Sequence, residues 1–226
     1  MTSTSICLYR SVLRVLLGLA LASGTAGAAA LPPPPPEAAA LVRQPARGAQ
    51  DYAVLPGASL AAYRRVLVAP VPVSFTATWA KEHPELKPRE IEELRQDTAK
   101  LAREEIQRGL SRKGGLAVAQ APGEDVLEVR ATILDLDIYA PEIKDAAIRQ
   151  EYVLRAGEGS FVAELRDSRS GTLLARMADH RQMRDYPELQ LANSVTNSAD
   201  ERDLIDAWTR ILRRQLDTSR ADRKGS

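Results

Sequence analysis

The sequence is short of the side chains that most often do chemistry. Its 226 residues hold one Cys, two His, two Trp and two Phe, and aromatics make up 4% of it. A zinc or iron–sulfur centre usually takes three or four nitrogen or sulfur ligands, so no such site and no cofactor is expected. A single Cys excludes a disulfide framework. Charge of one sign is missing too. The 31 Lys and Arg stand against 30 Asp and Glu, a formal net charge of +1, which gives no electrostatic footprint for nucleic acid. Three Met residues make no Met-rich surface. What is present is a hydrophobic fraction of 44%, enough to build a folded core.

The N-terminus reads as an address. Arg10 and Arg14 precede an uncharged apolar run at 15–22 (VLLGLALA), and 23–30 (SGTAGAAA) is all small. A positive start, a short apolar centre and a small-residue site are the parts of a secretory signal peptide. The run is far below the ~20 apolar residues of a membrane-crossing helix. Ala26-Gly27-Ala28 fits the A-x-A pattern, so residues 1–28 are expected to be removed, with Ala30 as the other cleavage point. Cys7 would leave with them. No Cys follows the apolar run to take a lipid anchor. Residues 29–50, with five consecutive prolines at 32–36, are expected to be a disordered leader. Residues 220–226 are expected to be a disordered tail.

Residues 51–219 read as a single α+β domain. The apolar run 66–69 (VLVA) is a strand; Pro70 and Pro72 then remove ladder donors, so 71–78 is extended and lies at an edge. Ile91, Leu94, Thr98, Leu101, Ala102, Ile106 and Leu110 recur at helical spacing between Pro88 and Gly114-Gly115, predicting a helix over 88–113. Residues 116–119 and 126–139 predict strands, the second with a one-residue phase slip at Leu134 of the kind a β-bulge produces. Strands at 149–156, 159–166 and 172–184 follow, the last two joined by the turn Asp167-Ser168-Arg169-Ser170-Gly171. Ser198 with Glu201 reads as a capping box opening a second helix with the stripe Leu204, Ile205, Trp208, Ile211, Leu212 and Leu216. The order strand, helix, strands, helix predicts a mostly antiparallel sheet of four to six strands with two amphipathic helices on one face.

Candidate chemistry is thin. His83 and His180 are the only imidazoles, and Ser160 lacks the G-x-S-x-G spacing of a nucleophile elbow. Asp135, Asp137 and Glu142 could gather near the bulge, but the six to eight oxygens of a calcium site are not evident in the sequence. The glycine pairs lack phosphate-loop and dinucleotide spacing. The strongest candidates are partner-binding residues. The stretch 185–197 (DYPELQLANSVTN) reads as a loop with too many apolar residues to be idle, notably Tyr186, Leu189, Leu191 and Val195. Beside it Arg210, Arg213 and Arg214 crowd the end of the second helix, where the helix dipole favours cations.

Three blocks carry a resemblance: 60–71 (LAAYRRVLVAPV), 126–136 (VLEVRATILDL) and 159–171 (GSFVAELRDSRSG). In that order, and after a signal peptide, they resemble a bacterial family of exported proteins and lipoproteins, domain-of-unknown-function family 3313. The resemblance implies an exported, periplasmic or outer-membrane-associated protein and assigns no catalytic residue. Many members look lipid-anchored; this sequence departs in lacking the acylated Cys. The expected function is a non-enzymatic interaction module of the cell envelope, with an unknown envelope protein as partner. The alternatives are a binder of a small apolar ligand or lipid, and a metal-dependent hydrolase using Asp135, Asp137 or His180.

Overall fold

The computed structural model describes residues 31–138, 152–155, 157–182, 185–191 and 194–222; of these, 152–155, 185–191, 194–198 and 220–222 are followed along the backbone alone. The expected signal peptide, Glu142 and the last four residues lie outside the described residues. Ten strands and three helices are described: β1 (Val42–Arg43), β2 (Asp51–Val54), β3 (Arg65–Val68), β4 (Val73–Phe75), α1 (Trp79–Glu82), α2 (Pro88–Ser111), β5 (Ala117–Val118), β6 (Val126–Asp137), β7 (Tyr152–Arg155), β8 (Glu158–Asp167), β9 (Leu173–Gln182), β10 (Asp185–Leu191) and α3 (Ser194–Asp222).

The architecture is α+β, but the sheet is larger and more mixed than the sequence led one to expect. Eight strands follow the order β1-β2-β9-β8-β6-β3-β5, with β4 also pairing β6. The half from β6 to β1 is antiparallel; β3, β4 and β5 run parallel to their neighbours. The cause is a helix between strands. A chain that leaves β3, crosses α2 and returns to the same sheet must come back parallel. β4 continues the line of β3 along β6 after the break at Pro70 and Pro72: Ala69 N–H bonds Val129 O, and Ile133 N–H bonds Pro72 O. Among the described residues β4 pairs only β6, so it is the edge that its prolines predict.

The bulge lies where the phase slips. Leu134 opposes Ser160 and Asp137 opposes Glu158, leaving one residue extra on β6. Asp135 takes φ +49° there, and the ladder resumes with Leu136 and Ile138 buried. On one face of the sheet Val66, Val68, Val129, Ala131, Ile133, Phe161, Ala163, Leu165, Ala175 and Met177 are buried in one core with Ala102, Ile106 and Leu110 of α2 and Leu204, Ile205, Trp208, Ile211 and Leu212 of α3. Both long helices therefore cover the same face. The stacked rings of Phe161 and Trp208, 5.2 Å apart, join β8 to α3.

Two boundaries move. The stretch expected as a disordered leader is built into the domain from Leu31 on: a 3-10 turn at Pro36–Ala40, then β1, whose register is fixed on β2. Polar anchors described below hold it. The second helix starts at Ser194, four residues ahead of the expected capping box, and runs on through 220–222, taken from the sequence as tail. Glu201 does not cap. It is buried toward α2, where Thr98 faces it.

Candidate functional site

The expected apolar loop is not a loop. Residues 185–191 form β10, which pairs antiparallel with β7 in a two-stranded ribbon of its own: Asp185 opposes Arg155, Gln190 opposes Val153 and Leu191 opposes Tyr152. The alternation Leu189-Gln190-Leu191 is a strand signal once the preceding strand supplies a partner. Tyr186, Leu189 and Leu191 thus stand on β10, whereas Val195 lies in the first turn of α3. The four share a stretch of chain but two kinds of element.

The arginines of α3 divide by what they hold. Arg213 reaches across to the end of α2. Its Nη1 donates to the carbonyls of Gly109, Leu110 and Arg112, each at 3.4 Å, and its Nη2 to Lys113 O at 3.5 Å. Those are the carbonyls a helix C-terminus leaves without partners. Asp217 receives Arg213 Nε at 2.8 Å. Arg213 therefore caps the end of α2, and it lines the same cleft as Arg210 and Arg214. Arg210 pairs with Asp206 one turn back, and Arg214 Nη1 donates to Arg47 O at 3.2 Å. Both remain exposed beside an open cleft with Asp217 and Thr218.

The candidate catalytic groups do not converge. Ser160 Oγ and His180 Nδ1 lie 3.1 Å apart as a directly opposed pair on β8 and β9. Ser160 is fully buried, and Asp179, the next residue to the imidazole, points through to the other face. There Asp179 accepts Arg181 Nε at 2.7 Å and Gln50 N–H at 3.1 Å. Burial pushes its carboxyl up despite these donors. His83 lies tilted against Trp79, ring centres 4.4 Å apart, near Glu85 and away from both. Among the described residues no group of His, Cys, Asp and Glu could hold a metal ion. No described helix is long and apolar enough to cross a membrane.

One surface escaped the sequence reading altogether. On the face of the sheet away from the helices, Arg176 stands directly opposite Glu164, and Arg166 follows Glu164 by two residues on β8. Arg166 Nε and Nη2 donate to Glu164 Oε2 at 3.0 and 2.7 Å, and its Nη1 to Gly171 O at 2.9 Å. Over this row runs the proline segment. Glu37 pairs with Arg166 Nη2, and Pro32 O accepts Arg176 Nη2 at 3.2 Å. The only sequence signal for it was Glu164 and Arg166 alternating with apolar residues on β8, and Arg176 set between Ala175 and Met177 on β9.

No curated protein matches the sequence. Among solved structures, the chain is similar to the PelC dodecamer from Paraburkholderia phytofirmans, at 12% identity over 76% of this chain and 96% of that one, with a TM-score of 0.34. It is also similar to a neuraminyllactose-binding hemagglutinin homolog from Helicobacter pylori, at 10% identity over 72% and 91% of the two chains, with a TM-score of 0.36. Likenesses this loose say nothing of what the chain does. The model of the family described as "Protein of unknown function (DUF3313)" matches residues 40–212, more than half of the sequence and the whole of the eight-stranded sheet, and the chain belongs to that family.

Proposed function

We propose that the chain is an exported, non-enzymatic interaction module of the bacterial cell envelope, and that it docks its partner through the β7–β10 ribbon. The observation that carries this reading is the ribbon itself. β10 pairs β7 and no other described strand, yet it bears Tyr186, Leu189 and Leu191. A two-stranded ribbon is marginal in water by itself, and strand edges with apolar side chains are ready surfaces for another chain. Export is supported by the N-terminal pattern of Arg10, Arg14, the apolar run and the small-residue stretch.

The test is crosslinking in living cells with the tagged, exported chain, followed by mass spectrometry of what is trapped. The reading expects a reproducible envelope protein attached through residues 185–195. The double substitution Leu189→Asp/Leu191→Asp should abolish that adduct while circular dichroism of the purified variant is unchanged. An adduct of undiminished yield overturns the ribbon as the docking element.

A further inference from the structure

The two anchored arginines on the open face of the sheet define a second surface, one that uses no residue of the ribbon. Arg166 and Arg176 keep only 10% and 6% of their side chains exposed. A guanidinium so far withdrawn from water has to be met by acceptors. Those built into the sheet do not suffice. Arg176 has Asp51 at 3.7 Å, an acid that also pairs with Arg43, and its Nε has no partner. Arg166 shares Glu164 and one carbonyl. The remaining acceptors, a carboxylate and a main-chain carbonyl, come from the segment 31–40.

That segment is held by little else. None of residues 31–40 is buried, and its 3-10 turn touches the sheet at β9. Its five prolines keep it extended before it docks, so little conformational freedom is lost on binding or regained on release. The attachment thus rests on two polar latches over a face whose buried guanidinium groups lack enough acceptors of their own, while the strap contributes almost no apolar burial. A firmly integrated strand would show the reverse balance, with buried side chains and a ladder.

We infer that the segment Leu31–Ala40 is a displaceable strap that occupies, in cis, a docking site for an extended, proline-rich segment of a partner protein carrying one carboxylate. The chemistry of the occupant is read from the strap: a carbonyl for Arg176, then, five residues on, a carboxylate for Arg166, with an extended backbone between. A tethered strap acts at an effective concentration in the mM range, so the intact chain would bind such a partner only when the strap is released or outcompeted.

The experiment uses the full chain and a fluorescent peptide of the sequence LPPPPPEAAAL, residues 31–41, read by anisotropy, with hydrogen exchange at residues 38–41 as the report on the strap. The substitution Glu37→Lys in the chain places two like charges at the latch; Glu37 is half exposed, so the fold should not depend on it. Glu37→Lys is expected to speed exchange at 38–41 and to raise peptide affinity at least about tenfold over the parent, as loss of one charge-assisted hydrogen bond implies. A peptide with the Glu37→Gln change should bind the variant correspondingly less, and Arg166→Glu in the variant should abolish binding. Three results would overturn the inference. One is unchanged exchange in Glu37→Lys. Another is a released strap with no peptide binding, or equal binding by parent and variant. The third is a concentration-dependent dimer of the parent through exchanged straps, which would make a second copy the occupant. The ribbon variant leaves every one of these readouts untouched, so the two surfaces stand or fall separately.

Discussion

At the scale of residues, two fully buried tryptophans play unequal parts. Trp79 donates its indole N–H to Ile138 O at 2.7 Å and stacks on Phe75, with ring centres 4.3 Å apart. It fastens the turn after β4 to the end of β6, just beyond the bulge at Asp135. Trp208 lies flat on Phe161, but its indole nitrogen closes no hydrogen bond, though the Asp179 carboxyl is near. Losing an N–H that has a buried partner strands a carbonyl; losing one that has none does not. Trp79→Phe should therefore destabilise the chain by about 1–2 kcal/mol more than Trp208→Phe, measured by chemical denaturation. Equal losses would show that ring volume alone decides both sites. The contrast was invisible in the sequence, where Trp208 reads as one more member of an apolar stripe. The bulge, by comparison, was legible, because a pleated strand with one face buried records any added residue as a shift of phase.

At the scale of elements, the pairing of α2 with α3 depends on two glycines, Gly109 inside α2 and Gly115 just past its end. A Cβ on Gly109 would lie 2.3 Å from Thr209 Cγ2, so the two helices approach where both side chains are small. A Cβ on Gly115 would lie 2.2 Å from Leu110 O and 2.6 Å from Arg213 Nη1, the group that caps α2. Alanine inside a helix gains ~1 kcal/mol over glycine by propensity. At Gly109 that gain is opposed by a contact no real Cβ tolerates. Gly109→Ala should cost about 1–3 kcal/mol net. Adding Thr209→Ser, which removes the offending methyl, should recover most of it, a coupling that a double-mutant cycle measures directly. Additive effects would mean that the helices separate freely at this point. The element signals explain what could be foreseen here. Helix α2 was plain from its stripe and from Pro88, and Glu90 does accept the Lys87 N–H at 2.7 Å. The arginines of α3 were legible as a cluster. Their division into a cap and two exposed cations was not, because it depends on where the other helix ends.

At the scale of the whole molecule, the sequence specified which residues face the core far better than it specified how strands are joined. The long strands β6, β8 and β9 alternate clearly, and their pairing followed. The parallel pairing of β3 with β6 is a long-range consequence of one helical crossover, and β1, two residues long, is placed by its pairing with β2 and not by any pattern of its own. The same global assembly sets a pH dependence that no segment carries alone. Asp167 sits in the β8–β9 turn, held below the usual carboxylate range by the Ser170 N–H and by the Tyr63 hydroxyl. A group lowered on folding contributes stability above its usual value of 3.8 that is lost as pH falls through its folded value. Asp179 and Glu201 are raised by burial, from usual values of 3.8 and 4.5. From those values up to their folded ones the native chain holds the extra protons, so their effect is a loss of stability as pH rises through that window. The three therefore act in opposite senses, Asp167 losing stability as pH falls below 3.8 and the buried pair losing it as pH rises above their usual values. Glu201 Oε1 has no partner between the long helices, so Glu201→Gln removes a charge that folding penalises and leaves the neutral shape. The variant should melt above the parent at neutral pH and together with it well below 4.5, the usual value above which the folded group is raised. A constant difference at both values would mean that the substitution acts through packing between α2 and α3, and that Glu201 is not the group that titrates.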